Sequence, residues 1–249
     1  MSDNALVGEA TASAVVQLKR GKGVKRSGAP LAERAYRELR NRVIKLELFP
    51  GEQFTEARLS EETGIGQTPI REALGLLARD GLVIKRPQVG YMVTPLTVQG
   101  IRDLFDLRAI VESAAVDLAT DRLTPRDWDE LESHMQSRYS QDDPESIDQF
   151  LDDNQCFHSI ITAASGNKRL AAVVDDVIEE SRRIIHLRLQ LEPQIEKVLH
   201  EHTELLDALK RRDRVEARRI TMDQALRSKE ECVSALVSNS RLMEVPLPL

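Results

Sequence analysis

Residues 50–93 read PGEQFTEARLSEETGIGQTPIREALGLLARDGLVIKRPQVGYMV, and the breaks in this stretch decide the fold. A short helix is expected over Glu56–Thr63, with Gly64 placed to follow its end in a left-handed conformation. Thr68-Pro69 opens another helix, with Thr68 as N-cap and Pro69 at the first helical position. Ile70, Ala73, Leu74 and Leu77 recur at helical spacing and mark its buried side; Asp80-Gly81 ends it. Two β-like runs follow, Leu82–Lys85 and Tyr91–Thr94, joined by a turn from Pro87 to Gly90, and Pro95 closes the unit. Upstream, Leu31, Ala35, Leu39, Val43 and Leu46 trace one more helix, which Phe49-Pro50-Gly51 terminates.

Residues 31–95 thus read helix, helix, turn, helix, hairpin, the order of a winged helix-turn-helix. In such a module the third helix enters the major groove of DNA and the hairpin touches the flanking backbone or minor groove. Gln67, Thr68 and Arg71 fall on the exposed first turn of that helix, with Arg58 on the helix before it and Gly90 in the wing; these are the expected DNA contacts. An arginine reads guanine bidentately or clamps phosphate, a glutamine reads adenine, and a helix N-terminus favours phosphate.

Charge is divided along the chain in the same sense. Through Thr97 there are 15 Lys/Arg against 11 Asp/Glu, a net of +4; from Val98 onward there are 20 against 30, a net of −10. A basic first part suggests a polyanion contact at that end. Residues 1–29 collect Lys19, Arg20, Lys22, Lys25 and Arg26 among glycines, which suits a solvated leader or an arm for the DNA backbone. With 249 residues, 41% of them hydrophobic and 31% charged, the chain has room for two modest cores, and collagen-like or wholly disordered classes are excluded. Two cysteines, Cys156 and Cys232, exclude a dense disulfide framework and suit a reduced, cytoplasmic setting. No apolar run approaches about 18 residues, so no membrane span is expected, and the opening MSDNALVGEA has no secretory pattern.

Beyond Pro95 the periodicity is helical throughout. Helices are expected near 98–120, 125–140, 146–165, 168–190, 193–211 and 214–238, separated at Pro125, Pro144, Gly166-Asn167, Pro193 and Asp213. The fold class is mainly α: the winged module with its small hairpin over 30–96, then an antiparallel bundle of six or seven helices over 97–240, then an extended tail over 241–249. Several polar residues lie on inward stripes of this bundle. Asn154 and His158 fall among Ile147, Phe150, Leu151, Phe157, Ile161 and Ala164; His202 falls among Val198, Leu199, Leu205, Leu206 and Leu209, whereas His200 does not. Arg108 and Glu112 fall among Ile101, Leu104, Phe105, Val111, Ala115 and Leu118, although Leu107, Ile110 and Ala114 offer a rival stripe. Gln224 and His202 lie 11 residues either side of Asp213, so an antiparallel pair would set them at similar depth. Buried polar groups need partners, because an unpaired one costs about 1–3 kcal/mol. Arg108 is the candidate for holding an anionic group, or else pairs with Glu112 along its helix; Arg188, on the stripe of Val173, Val174, Val177, Ile178, Ile184 and Ile185, is the second. Cys156 reads as a small core residue and Trp128 as helix packing.

The quoted segment resembles the GntR family of bacterial transcription regulators in Pro50-Gly51, Glu56, Leu59, Gly64, Thr68-Pro69, Arg71-Glu72-Ala73-Leu74, Leu77, Gly81-Leu82 and Gly90. It departs from that family at Gly66-Gln67, where Ser-Arg is usual, and at Ala57, where some members carry an arginine. The helical part is similar to the all-helical effector domain of the FadR subgroup in Arg108 and Glu112, Phe157-His158, Gly166-Asn167, Glu201-His202, Asp207-Ala208, Asp213 and Ala217. The resemblance implies a homodimeric regulator, a repressor, that binds a double-stranded, pseudo-palindromic operator and answers to a small organic acid. It further implies an effector pocket built from Arg108, Asn154, His158, His202 and Gln224. Many relatives hold a divalent metal there on Asp, His, His and His; here the set is Asn154, His158, His202 and Gln224. Neutral amides are poor ligands for Zn²⁺ or Ni²⁺, so the expectation is a polar pocket that has given up its metal or holds one weakly through His158 and His202. The rival reading is a helical metal-dependent hydrolase or lyase with a basic accessory module; against it, no nucleophile–base pair is evident.

Overall fold

The computed structural model of the chain describes residues 29–239, apart from 137, 141–142 and 192–194. The expected arm, save Ala29, and the expected tail lie outside the described residues. Helices α1 (Ala29–Ile44), α2 (Glu56–Thr63) and α3 (Gln67–Arg79) close over the strands β1 (Gln53–Phe54), β2 (Val83–Arg86) and β3 (Gly90–Val93). The sheet is antiparallel with order β1-β3-β2. Ala35, Leu39, Val43, Leu59, Ile70, Leu74, Leu77 and Val93 form its apolar centre.

Four local features correct the expectation here. Helix α3 begins at Gln67 rather than after Thr68: extended Gly66 is its N-cap without a side-chain bond, and the Ile70 amide reaches back to the Gly66 carbonyl at 3.3 Å. Thr68 is therefore no cap, and Pro69 is tolerated because the first turn has no amide partner to lose. Helix α1 stops at Ile44, because Leu46 turns to a left-handed φ of 62° and the Leu48 amide bonds Arg42. Leu31, read as inward, is exposed. Strand β1 is two residues long, too short for any alternation to show, and Phe54 stacks on Tyr91 across it.

The second part is a helical bundle, with six helices among the described residues: α4 (Val98–Ala119), α5 (Pro125–His134), α6 (Pro144–Ala164), α7 (Lys168–Leu191), α8 (Ile195–Lys210) and α9 (Arg214–Ser238). Helix α5 ends at His134, well before 140, because the next amides bond three residues back, Met135 to Glu132 and Gln136 to Ser133. Cys156 is exposed, not core: it sits two residues from both Asn154 and His158, roughly 200° round the helix from each. Val173 also faces outward. Trp128 packs on the bundle core as expected. On α4 the Arg108 stripe faces inward, and Leu107, Ile110 and Ala114 of the rival stripe are exposed.

The two parts are joined by apolar and ionic contacts. Leu46, Phe49 and Leu96 pack against the bundle core around Phe105 and Ile184. Arg40 of α1 and Lys45 just after it pair with Glu179 of α7 and Asp148 of α6. The buried Arg183 of α7 donates to the Thr94 carbonyl at 2.8 Å.

Gly90 has φ 118°, and a Cβ there would stand 2.5 Å from the Phe54 carbonyl oxygen. The wing thus depends on glycine for its closure onto β1. Gly90→Ala should lower the unfolding free energy by about 1–3 kcal/mol, read by urea denaturation; an unchanged midpoint would show that the wing does not need glycine.

Candidate functional site

The outer turn of α3 presents Gln67, Thr68 and Arg71 to solvent. Its position is set by the chain before it: the Thr55 hydroxyl accepts the Arg58 amide at 3.2 Å to start α2, and Gly64, at φ 67°, ends it. Arg71 reaches Glu56 with Nε 2.8 Å and Nη2 2.7 Å from Oε2. The hydrogen bond from Arg71 holds the Glu56 carboxyl below its usual range. Arg71 is 63% exposed, and such surface pairs contribute about 0–1 kcal/mol, so the pair aims the guanidinium without locking it. Arg58 is engaged by Glu52 at 2.8 Å and Glu62 at 2.6 Å. Among the five expected DNA contacts, Gln67, Thr68 and Arg71 thus share one free face, Arg58 belongs to a carboxylate network beside it, and Gly90 serves the wing's backbone.

Within the bundle, Arg108, Glu112, Asn154, His158, Arg188, His202 and Gln224 line one cavity of about 50 Å³. All five expected pocket residues are brought together, from four helices, and Arg188 joins them. Arg108 donates from Nε to Glu112 at 2.6 Å and from Nη1 to the Ser181 hydroxyl at 2.9 Å. The in-helix ion pair and the pocket position are therefore both realised. His158 Nδ1 lies 3.3 Å from the second Glu112 oxygen. Gln224 donates to the Glu201 carbonyl at 2.6 Å, and Arg188 pairs with Glu231. His202 stacks on Phe157 at 4.2 Å and meets His158 edge-on at 5.5 Å.

Burial pushes the Glu112 carboxyl up, but Arg108 and His158 outweigh it and hold the group below the usual carboxylate range. Burial also lowers His158, against the opposing pull of Glu112. His202 is driven down to about 3, first by burial and then by His158. Both imidazoles are neutral near pH 7, and the charge of the cavity is carried by carboxylate–guanidinium pairs.

A divalent metal does not fit this donor set. Two imidazoles and two neutral amides leave no carboxylate in the four positions, the Gln224 amide is turned to a backbone carbonyl, and the Arg108 guanidinium shares the same cavity. Among the described residues, no group of three or more His, Cys, Asp or Glu side chains could hold a metal ion.

The structure adds residues that sequence reasoning missed, Ser181, Glu231 and the cross-links Arg40–Glu179 and Lys45–Asp148, and it buries Arg183, which the helical stripe had set aside in favour of Arg188. A partial signal was present in Ile184, Ile185, Leu187 and Leu189, apolar positions that do not fit one helical stripe; the structure buries 183–189 all round.

Residues 31–93 match "Bacterial regulatory proteins, gntR family", and residues 103–225 match "FCD domain". An uncharacterized HTH-type transcriptional regulator in an unstable DNA locus of Streptomyces ambofaciens is 30% identical over 179 residues, 70% of this chain and 73% of that protein. The chain belongs to the GntR family. A second relative of this GntR-family protein is the HTH-type transcriptional repressor RspR of Escherichia coli strain K12, 26% identical over 186 residues, 74% of this chain and 81% of that one. The solved E. coli McbR/YncC shares the fold with a TM-score of 0.65 at 23% identity, covering 81% of this chain and 97% of that one. The GntR match encloses the α3 face, and the FCD match encloses all of Arg108, Asn154, His158, His202 and Gln224. This GntR-family chain is a transcriptional regulator and not an enzyme, which removes the hydrolase reading. No helix among its described residues is long and apolar enough to cross a membrane.

The His202 shift predicts a pH dependence. Its folded pKa of about 3 lies below the ordinary value of about 6.5, so as pH falls the unfolded chain takes up a proton that the folded one refuses. Stability present above about pH 6.5 is then lost progressively toward pH 3, by about 1.4 kcal/mol per pH unit for one proton. His202→Phe should flatten the slope of unfolding free energy between pH 6 and 4.5 by one proton's worth. An identical slope in the variant, followed by urea unfolding, would assign the acid sensitivity elsewhere.

Proposed function

We propose that this regulator acts in the cytoplasm as a homodimeric repressor of a pseudo-palindromic operator, released or recruited by a small carboxylate-bearing metabolite. The observation that carries the effector part is the Arg108–Glu112 pair, buried in a cavity of about 50 Å³. Ligand cavities run to about 300–1,000 Å³, so a metabolite enters only by opening this one. An incoming carboxylate has a ready route, since it can replace Glu112 on the Arg108 fork and keep the guanidinium paired. Arg188 offers a second cation at the same wall.

Helix α7 connects this event to the reading head. Ser181 holds Arg108, while Glu179 and Arg183, within one turn of it, hold Arg40 and the Thr94 carbonyl. A shift of α7 on opening changes how the head is held. Coupling follows if the metabolite binds the two head arrangements with different affinity.

The dimer reading is supported by α4. Leu107, Ile110 and Ala114 form an exposed apolar stripe, and Ile110 is 62% exposed. Such a stripe suits a second copy of the chain, and two-fold symmetry sets two α3 helices on two half-sites. The repressor reading is supported by the name of RspR.

Arg71→Ala should weaken operator binding by about 10- to 100-fold, the scale of one lost base or phosphate fork. Arg108→Lys keeps a counter-charge for Glu112 but loses the fork; it should leave operator binding intact and blunt the response to the metabolite. Ile110→Glu should yield monomers in sedimentation and lose tight operator binding. Full metabolite response in Arg108→Lys, or dimers of undiminished stability in Ile110→Glu, would each overturn its part of the reading.

A further inference from the structure

A second cavity lies outside the bundle pocket, at the joint between the reading head and the helices. It encloses about 300 Å³ and is walled by Ile84 of β2, Leu96 of the connecting segment, Ile101 and Leu104 of α4, and Ile184 of α7. One guanidinium opens onto it. Arg183 is 6% exposed, makes no ion pair among the described residues, and leaves its Nε without a hydrogen-bond partner. Its Nη1 donates to the Thr94 carbonyl. Glu180, exposed at the same wall, opposes part of the effect of burial on Arg183 but forms no ion pair with it.

A buried cation without a paired anion is expensive, and burial pushes Arg183 down to about 10, still fully charged near neutrality. The first turn of α4 adds to the same bias. Thr97 and Gly100 line the cavity, and the N-terminal end of a 22-residue helix carries partial positive charge. Cation and helix end favour an anion; the aliphatic walls favour an apolar body attached to it. The volume matches the lower end of small-molecule sites.

We infer that this joint is a binding site for a small amphipathic monocarboxylate, its carboxylate on Arg183 and its hydrocarbon chain against Leu96, Ile101 and Leu104. The ligand touches β2 and the 94–97 segment on one side and α7 on the other. Occupancy therefore fastens the head to the bundle in the arrangement seen here. The site is separate from the Arg108 pocket and does not depend on it.

The test is calorimetric titration of the full chain with sodium hexanoate, with acetate and hexan-1-ol as arms that lack the chain or the charge. Hexanoate is expected to bind more tightly than either. Leu104→Trp, which fills the cavity and leaves the guanidinium in place, should abolish the binding. Arg183→Met should weaken it by about tenfold or more, the scale of a lost charged hydrogen bond. Arg108→Lys should leave it unchanged, which separates this site from the bundle pocket. Hexanoate binding no tighter than acetate in the unaltered chain would overturn the inference, as would binding that survives Leu104→Trp or disappears in Arg108→Lys.

Discussion

A guanidinium taken out of water must be met by an anion or by well-placed oxygens, and three such groups set the terms of this structure. Arg108 has Glu112 and Ser181, Arg188 has Glu231, and Arg183 has the carbonyl of Thr94. Each of these contacts joins two elements or, for Arg108, braces one helix while reaching a second. Replacing any single partner would leave a buried charge, a loss of about 3–5 kcal/mol where a buried pair is broken. The bundle is thus held together by contacts that cannot be changed singly at low cost. Contacts of this kind favour discrete arrangements over continuous deformation, which is what the proposed switch would need.

Two of the three arginines lie on α7, and the third is held by it. The stretch from Arg183 to Leu189 is buried, enclosed by the rest of the bundle and the reading head. A helix enclosed in this way moves as a rod or hardly at all. The pocket's α7 contacts, Ser181 and Arg188, and the head contacts, Glu179 and Arg183, sit on that one rod within three turns, so coupling does not need a long chain of side chains. It needs only that the pocket and the head prefer different positions of α7.

The reading head was legible in the chain because turns carry their own chemistry. Gly64, Asp80-Gly81 and the 87–90 turn place three elements before any packing is known, and the inward set Ile70, Ala73, Leu74, Leu77 is the buried set. The pocket was legible for a different reason: polar residues on apolar stripes have to converge on something. Other features depend on tertiary context. Thr68 satisfies every local rule for an N-cap, yet the backbone bond to Gly66 starts the helix two residues earlier. On α4 both stripes are apolar, and periodicity cannot rank two faces of one helix; the bundle settles it by burying Arg108 and leaving Ile110 outside. Arg183 stands beside two isoleucines, and its burial follows from the head folding back over α7, a contact no local pattern encodes.

Charge balance explains why the pocket's composition is consistent as a whole. A carboxylate at either amide position would call for a cation, and a cation bound there would call for a stronger donor than an amide. An amide at position 154 with another at 224 asks for neither. The neutral His158 and His202 add no charge, and Arg108 with Glu112 sums to none. The pocket is therefore closed, small and electrically settled without a metal. A carboxylate arriving there must displace Glu112, and the displaced Glu112 must find a new partner, with His158 at 3.3 Å the nearest candidate. Protonation of His158 would then become more favourable, because the Glu112 carboxylate beside it would no longer be neutralised by Arg108. Entry of an acid into this pocket is thereby linked to uptake of a proton, and the affinity for such a ligand should rise as pH falls toward the ordinary histidine range.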